Sequence, residues 1–115
     1  MKSTKIENKP TDSRSIYINN ITKVDCKSRK IRILVDNKYL FPTGRMGESV
    51  TYGLDFTVGN RTFIANYLIG SSDGISRSGV LMLGKEIFED VLNIKPNTEL
   101  KISNSEMGKY VIEKV

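Results

Sequence analysis

The strongest constraint on the fold is a nine-residue run, residues 50–58, in which apolar side chains alternate with polar or small ones. This alternation predicts a β-strand that turns one face toward a core. The pair Gly59-Asn60 follows and can supply the positive backbone angles of a two-residue turn. Residues 62–69 then return as the partner strand. The chain is therefore predicted to be built on a long antiparallel hairpin.

Five shorter segments also have the composition or the alternation of strands. They are residues 15–22, 31–35, 79–83, 99–102 and 110–112. Residues 85–92 instead place apolar side chains three and four positions apart, which predicts a two-turn helix. The predicted class is α+β and mostly β: a seven-stranded pseudobarrel with one short helix between strands five and six. Helical crossovers are too few for an open parallel sheet.

The length of 115 residues suits a single domain. Residues 1–13 are almost wholly polar or charged, which predicts a flexible tail ahead of one domain at residues 14–115. With 27% charged residues, the chain has no run of about 20 apolar residues for a membrane helix. The charged N-terminus and the single cysteine, Cys26, favour a location in the cytoplasm.

Positive charge is concentrated in the first part of the chain. Residues 1–45 contain eleven Lys or Arg against four Asp or Glu, a net charge of +7, whereas residues 46–115 have a net charge of −2. Such asymmetry is typical of a surface that meets phosphates. It is equally compatible with a lysine-rich surface that is merely solvated.

The sequence offers little to catalysis. It has no histidine, one cysteine and no glycine-rich phosphate loop. Acidic pairs such as Glu89-Asp90 lack a neighbouring base or the spacing of metal ligands. We therefore expect no enzymatic activity, no metal and no cofactor.

The order of segments from the hairpin onward carries a resemblance. After Gly59-Asn60 come a strand containing Asn66-Tyr67, a serine-rich loop at 70–78, the helix at 85–92 and the run Asn-Ile-Lys-Pro-Asn-Thr-Glu-Leu-Lys-Ile at 93–102. This order resembles the B-three pseudobarrel domain of plant transcription factors and its relatives in type II restriction endonucleases. The family usually has Gly-Asp where this chain has Asn-Thr in the last turn, and tryptophans that are absent here.

The resemblance implies two arms that grip the major groove of duplex DNA. The first arm corresponds to residues 23–30, which are predicted to form a basic loop between the first two strands, and the second arm to residues 70–78. The residues expected to contact DNA are Lys23, Lys27, Arg29, Lys30, Arg45, Ser71, Ser72, Asp73, Ser76, Arg77 and Ser78.

Each residue type suits a different part of this work. The lysines of the first arm can neutralise phosphates and displace counterions. Arg77, the only cation of the second arm, is the first choice for base recognition, and Arg29 is an alternative that could take a guanine bidentately. Asp73 could accept from a cytosine amino group or orient Arg77. Arg45 could reach a phosphate from the side.

Two other functions remain open at this stage. The chain could be a protein-interaction module that keeps the barrel without binding DNA. Residues 80–102 also resemble the strand-helix-turn-strand unit of AbrB-type bacterial regulators, which implies an intertwined homodimer. A serine- and glycine-rich loop such as 70–78 is, in general, more often a solvated connection than a binding site.

Overall fold

The computed structural model of the protein describes residues 14–44, 47–70, 78–105 and 109–115. A mixed sheet is formed by seven strands: β1 (Arg14–Ile18), β2 (Ile31–Ile33), β3 (Val50–Val58), β4 (Arg61–Ile69), β5 (Gly79–Met82), β6 (Leu100–Ser105) and β7 (Lys109–Lys114). Their spatial order is β1-β6-β7-β3-β4-β5-β2. Neighbouring strands are antiparallel except β7 and β3, which are parallel. The predicted mostly β, seven-stranded fold is confirmed.

A short helix, α1 (Lys23–Ser28), occupies most of the segment that the sequence predicted to be a basic loop, so that prediction is wrong. Thr22, which was expected to be part of the first strand, caps the N-terminus of this helix. The Thr22 side chain accepts a hydrogen bond from the Asp25 amide at 3.2 Å, and the Asp25 carboxylate accepts one from the Thr22 amide at 3.0 Å. This reciprocal capping box satisfies two amides at the helix start and favours the helix over a loop.

Two further helical segments flank the sheet. A 3₁₀ helix spans Val35–Leu40, where the sequence predicted only the end of a strand. A π-helical turn spans Glu86–Val91, where an α-helix was predicted at 85–92. The wide turn is visible in the Leu92 amide, which donates to the Ile87 carbonyl five residues earlier at 2.9 Å. The described residues thus contain three short helical segments instead of one.

The sheet curls until its two edge strands, β1 and β2, nearly meet. No strand ladder joins them in the described part of the chain. Side chains bridge the seam instead: the Arg32 guanidinium donates to the Asn20 carbonyl at 2.8 Å, and the Asn20 amide group donates to the Arg32 carbonyl at 3.4 Å. The result is a barrel-like sheet whose closure is completed by side chains.

Stacked aromatic rings fill part of the barrel interior. The Phe41 ring lies against Tyr67 and Tyr110, with centroid distances of 4.7 and 5.3 Å. Phe56 continues the stack, at 5.0 Å from Tyr110 and 5.7 Å from Phe63. Phe41 comes from the residue after the 3₁₀ helix, whereas the other rings come from β3, β4 and β7. A connecting segment therefore supplies a central ring of the core.

The two tyrosines of this stack differ in whether their hydroxyl groups form a hydrogen bond. The Tyr110 hydroxyl donates to the Leu40 carbonyl at 2.9 Å. The Tyr67 hydroxyl is fully buried and has no hydrogen-bond partner among the described residues. Burial raises the pKa of Tyr67 to about 12, so the phenol stays neutral at physiological pH.

We expect Tyr67→Phe to leave the free energy of unfolding unchanged or slightly increased, because the substitution removes a buried hydroxyl that lacks a partner. Tyr110→Phe removes a hydrogen bond that is made, and should cost about 0.5–1.5 kcal/mol. Urea denaturation of both variants beside the parent protein measures the difference. Equal losses in the two variants would mean that the Tyr67 hydroxyl has a partner in solution.

Candidate nucleic-acid interface

The two predicted arms are positioned by the pairing of β2 with β5. The first arm leads into β2 and the second arm leads into β5, and the two strands are antiparallel, with Ile31 opposite Leu81 and Ile33 opposite Gly79. The arms therefore meet this short ribbon at its opposite ends. Strands rise about 3.3 Å per residue and neighbouring strands lie about 4.8 Å apart, so these two points of entry, two residues apart along the ribbon, are separated by roughly 8 Å.

The structure describes only part of the predicted interface. Among its residues, Lys23, Lys27, Arg29, Lys30 and Ser78 fall within the described ranges. The remaining predicted contacts, Arg45, Ser71, Ser72, Asp73, Ser76 and Arg77, lie outside the described residues. Ser78 is exposed and directly precedes β5. The described part of the interface is therefore the first arm and the end of the second arm.

Helix α1 turns a basic face to the outside. Lys23, Val24 and Lys27 are exposed, whereas Asp25 is buried and Cys26 is half-buried. Successive helical residues advance by about 100°, which puts the three exposed positions on one side. With Cys26, they line an open depression of about 630 Å³. Neither lysine forms an ion pair with the described part of the chain.

The buried side of α1 is held by an ionic cluster. The Asp25 carboxylate accepts hydrogen bonds from Arg32 Nε at 3.1 Å and from Arg32 Nη2 at 3.0 Å. Burial by itself would raise the pKa of Asp25, but the hydrogen bonds from Arg32 and Thr22 together outweigh it, and the pKa lies below its ordinary value. Arg32 also donates to the Asn20 carbonyl across the barrel seam, so a single guanidinium connects α1, β2 and the segment that follows β1.

The lowered pKa of Asp25 makes stability depend on acidity. Because the folded-state pKa lies below the unfolded value of about 3.9, the carboxylate stabilises the fold above that pH and loses this contribution as the pH falls through the folded pKa. We expect Asp25→Asn to be less stable than the parent at neutral pH and to lose less stability on acidification below about pH 4. Thermal denaturation between pH 2.5 and 7 measures both effects. Parallel curves for the two proteins would contradict the assignment.

Arg29 is engaged within the protein. Its Nε lies 2.5 Å from the Glu89 carboxylate, and each of the two side chains is 39% exposed. Its backbone is left-handed, with φ of 55°, and closes the C-terminus of α1. Arg29 therefore ties α1 to the π-helical turn. The exposed side chain of Lys30, the next residue, makes no ion pair within the described ranges.

Sequence reasoning missed the residues that support this face. Thr22, Asp25 and Arg32 were not singled out, although a Thr-x-x-Asp spacing before a basic segment is a recognisable helix start. Cys26 offers no reactive thiol here, because burial and the nearby Asp25 charge raise its pKa. Across residues 14–44, 47–70, 78–105 and 109–115, no three potential metal ligands lie together.

No protein-family model matches this chain, and no curated protein matches it. None of the helices in the described residues is long and apolar enough to cross a membrane. The function must therefore be argued from the site itself.

Proposed function

We propose that the protein binds double-stranded DNA sequence-specifically, through two arms that enter the major groove. The observation that carries this proposal is the exposed face of α1, where Lys23 and Lys27 point outward without an ion pair in the described part of the chain. Lys30 adds a third cation at the point where the first arm joins β2. Exposed cations without carboxylate partners are suited to phosphate contact, since they release counterions on binding.

The separation of the arms supports the same function. They join the β2-β5 ribbon at points roughly 8 Å apart, which is within the width of about 12 Å of the major groove of B-DNA. A short, fixed ribbon between two arms suits a protein that holds both sides of one groove. This mode of binding is the one that the resemblance to B-three domains implies.

The residues divide into two roles under this proposal. Lys23, Lys27 and Lys30 supply phosphate contacts and affinity, and Arg77 remains our choice for reading a base. Arg29 would first have to leave Glu89, and so it should contribute less to DNA affinity than its charge suggests. We expect the protein to act in the cytoplasm, as a transcription regulator or as the recognition part of a restriction-modification system.

The decisive experiment is selection from a randomised duplex pool at two salt concentrations, followed by affinity measurements on the enriched motif. We expect one motif and an affinity that falls steeply with salt. Replacing Lys23 and Lys27 together with glutamine should lower the slope of log K against log salt by about 2, because each lost phosphate contact removes about one unit.

A matched control removes the same charge elsewhere. Lys101 and Lys114 lie on β6 and β7, which pair with neither β2 nor β5 and so do not carry either arm. Glutamine at both positions should leave the motif and nearly all of the salt slope unchanged. If both double variants lowered the slope equally, binding would be non-specific attraction to net charge. Absence of duplex binding at low salt would instead favour a protein-interaction module.

The AbrB-like alternative has less support. In that arrangement, residues 80–102 would exchange strands with a second chain. Here β5 pairs with β4 and β2, and β6 pairs with β1 and β7, all within one chain. Both strands thus have neighbours on each side without a partner molecule.

A further inference from the structure

We infer that Val24 reads a thymine, by placing its methyl groups against the thymine C5-methyl in the major groove. The inference rests on the proposed function and names a specificity residue for it. Val24 is 70% exposed and lies on the outward face of α1, directly after Lys23 and on the same side of the helix as Lys27. Sequence reasoning had assigned the lysines of this arm to phosphate contact and had named Arg29 as its candidate for base recognition, without considering Val24.

Folding does not account for an apolar side chain at this position. Full burial of a valine gains about 1.5–3 kcal/mol, and Val24 obtains little of it. Valine is also not a favoured helix former, because its branched side chain restricts χ1. Within the described residues, the depression beside Val24 is lined only by other residues of α1.

The charge around Val24 indicates which kind of ligand contacts this side chain. Two lysines flank it without carboxylate partners in the described part of the chain, which favours a polyanion over an apolar protein surface. Within duplex DNA, the major groove offers one apolar group, the thymine methyl, and aliphatic side chains recognise it by contact. An exposed valine beside two lysines that are suited to phosphate contact matches this combination of phosphates and a methyl group.

The opposite side of α1 keeps this face in a fixed orientation. Asp25 is anchored by Arg32 and by the capping box with Thr22, and Arg29 is paired with Glu89 at the end of the helix. Because both ends of the helix are held, Val24 is presented at a defined distance from the β2 edge. Such restraint is what a contact with a single methyl group requires.

The test replaces each thymine of the selected motif with deoxyuridine, which removes only the methyl group. We expect one position at which the parent protein loses about three- to five-fold in affinity, the size of one buried methyl contact. Val24→Ser should bind the thymine duplex more weakly and show no further loss with deoxyuridine. Serine and valine have similar helix propensities, so α1 should be retained.

Val35→Ser serves as the control, because Val35 is also exposed, at 44%, but belongs to the 3₁₀ helix. It should keep the full sensitivity to deoxyuridine. Specific binding without sensitivity at any thymine, or sensitivity that persists in Val24→Ser, would overturn the role of Val24 and leave the proposed function standing. Failure of the parent protein to bind any duplex would overturn both.

Discussion

Replacing Phe41 with alanine should destabilise the protein by about 3–5 kcal/mol, the range measured for large aromatic side chains in cores. The Phe41 ring is 4% exposed and stacks on both Tyr67 and Tyr110. Its removal would leave a cavity between two rings that are held by different strands, β4 and β7. The free energy of unfolding of a small domain is only about 5–15 kcal/mol, so this substitution would remove a large part of it. Urea denaturation followed by circular dichroism measures the loss.

Tyr39→Ala is the matched control for this prediction. Tyr39 lies two residues before Phe41 and has a similar ring, but it is 54% exposed, and the Arg14 guanidinium lies over its ring at 5.5 Å from the centroid. An exposed cation–π contact contributes about 0.5–1 kcal/mol. Comparable losses from the two alanine variants would show that Phe41 does not support the barrel interior.

Gly79→Ala should cost about 3 kcal/mol or more, at the upper end of what overpacking usually costs. A β-carbon at Gly79 would lie 2.4 Å from the Tyr67 hydroxyl oxygen and 2.6 Å from two carbons of its ring. Tyr67 is fully buried and stacked on Phe41, so it cannot move aside without disturbing the core. The loss of stability should appear as a lower midpoint of thermal and urea unfolding.

Gly70→Ala provides the comparison, since Gly70 stands at the other end of the same polar segment. Among the described residues, an added β-carbon there would meet nothing within 4 Å, and the Gly70 backbone needs no positive φ. We expect Gly70→Ala to be neutral or to stabilise by up to about 1 kcal/mol, through the reduced entropy of the unfolded chain. Similar behaviour of the two variants would refute the close packing of Tyr67 under β5.

The parts of the fold that could be predicted from the sequence depend on short-range patterns. The β3 strand matches its predicted bounds, and the turn after it has φ of +60° at Gly59, although Asn60 does not share the positive angle. Asn97 adopts φ of 71°, the left-handed conformation that asparagine tolerates better than most residues. In each case the signal and its structural consequence lie within a few residues of each other.

The parts that escaped prediction depend on contacts between distant segments. Phe41 follows a brief apolar stretch, and nothing near it in the chain indicates that its ring stacks between Tyr67 and Tyr110. Likewise, the pairing of Arg29 with Glu89 joins residues 60 positions apart. A six-residue helix such as α1 is too short to produce a periodic pattern, so only its capping residues could have indicated it.

The shared guanidinium of Arg32 has a consequence for recognition. It holds the seam between β1 and β2 and, through Asp25, the base of α1. Displacing the helix would therefore also weaken the contacts across the seam, and opening the seam would weaken the anchorage of the helix. The outward face is thus preorganised by the architecture that encloses the core. A partner that docks on it meets a backbone whose conformational entropy was already lost on folding, so the ordering cost that opposes binding is mainly that of the exposed lysine side chains.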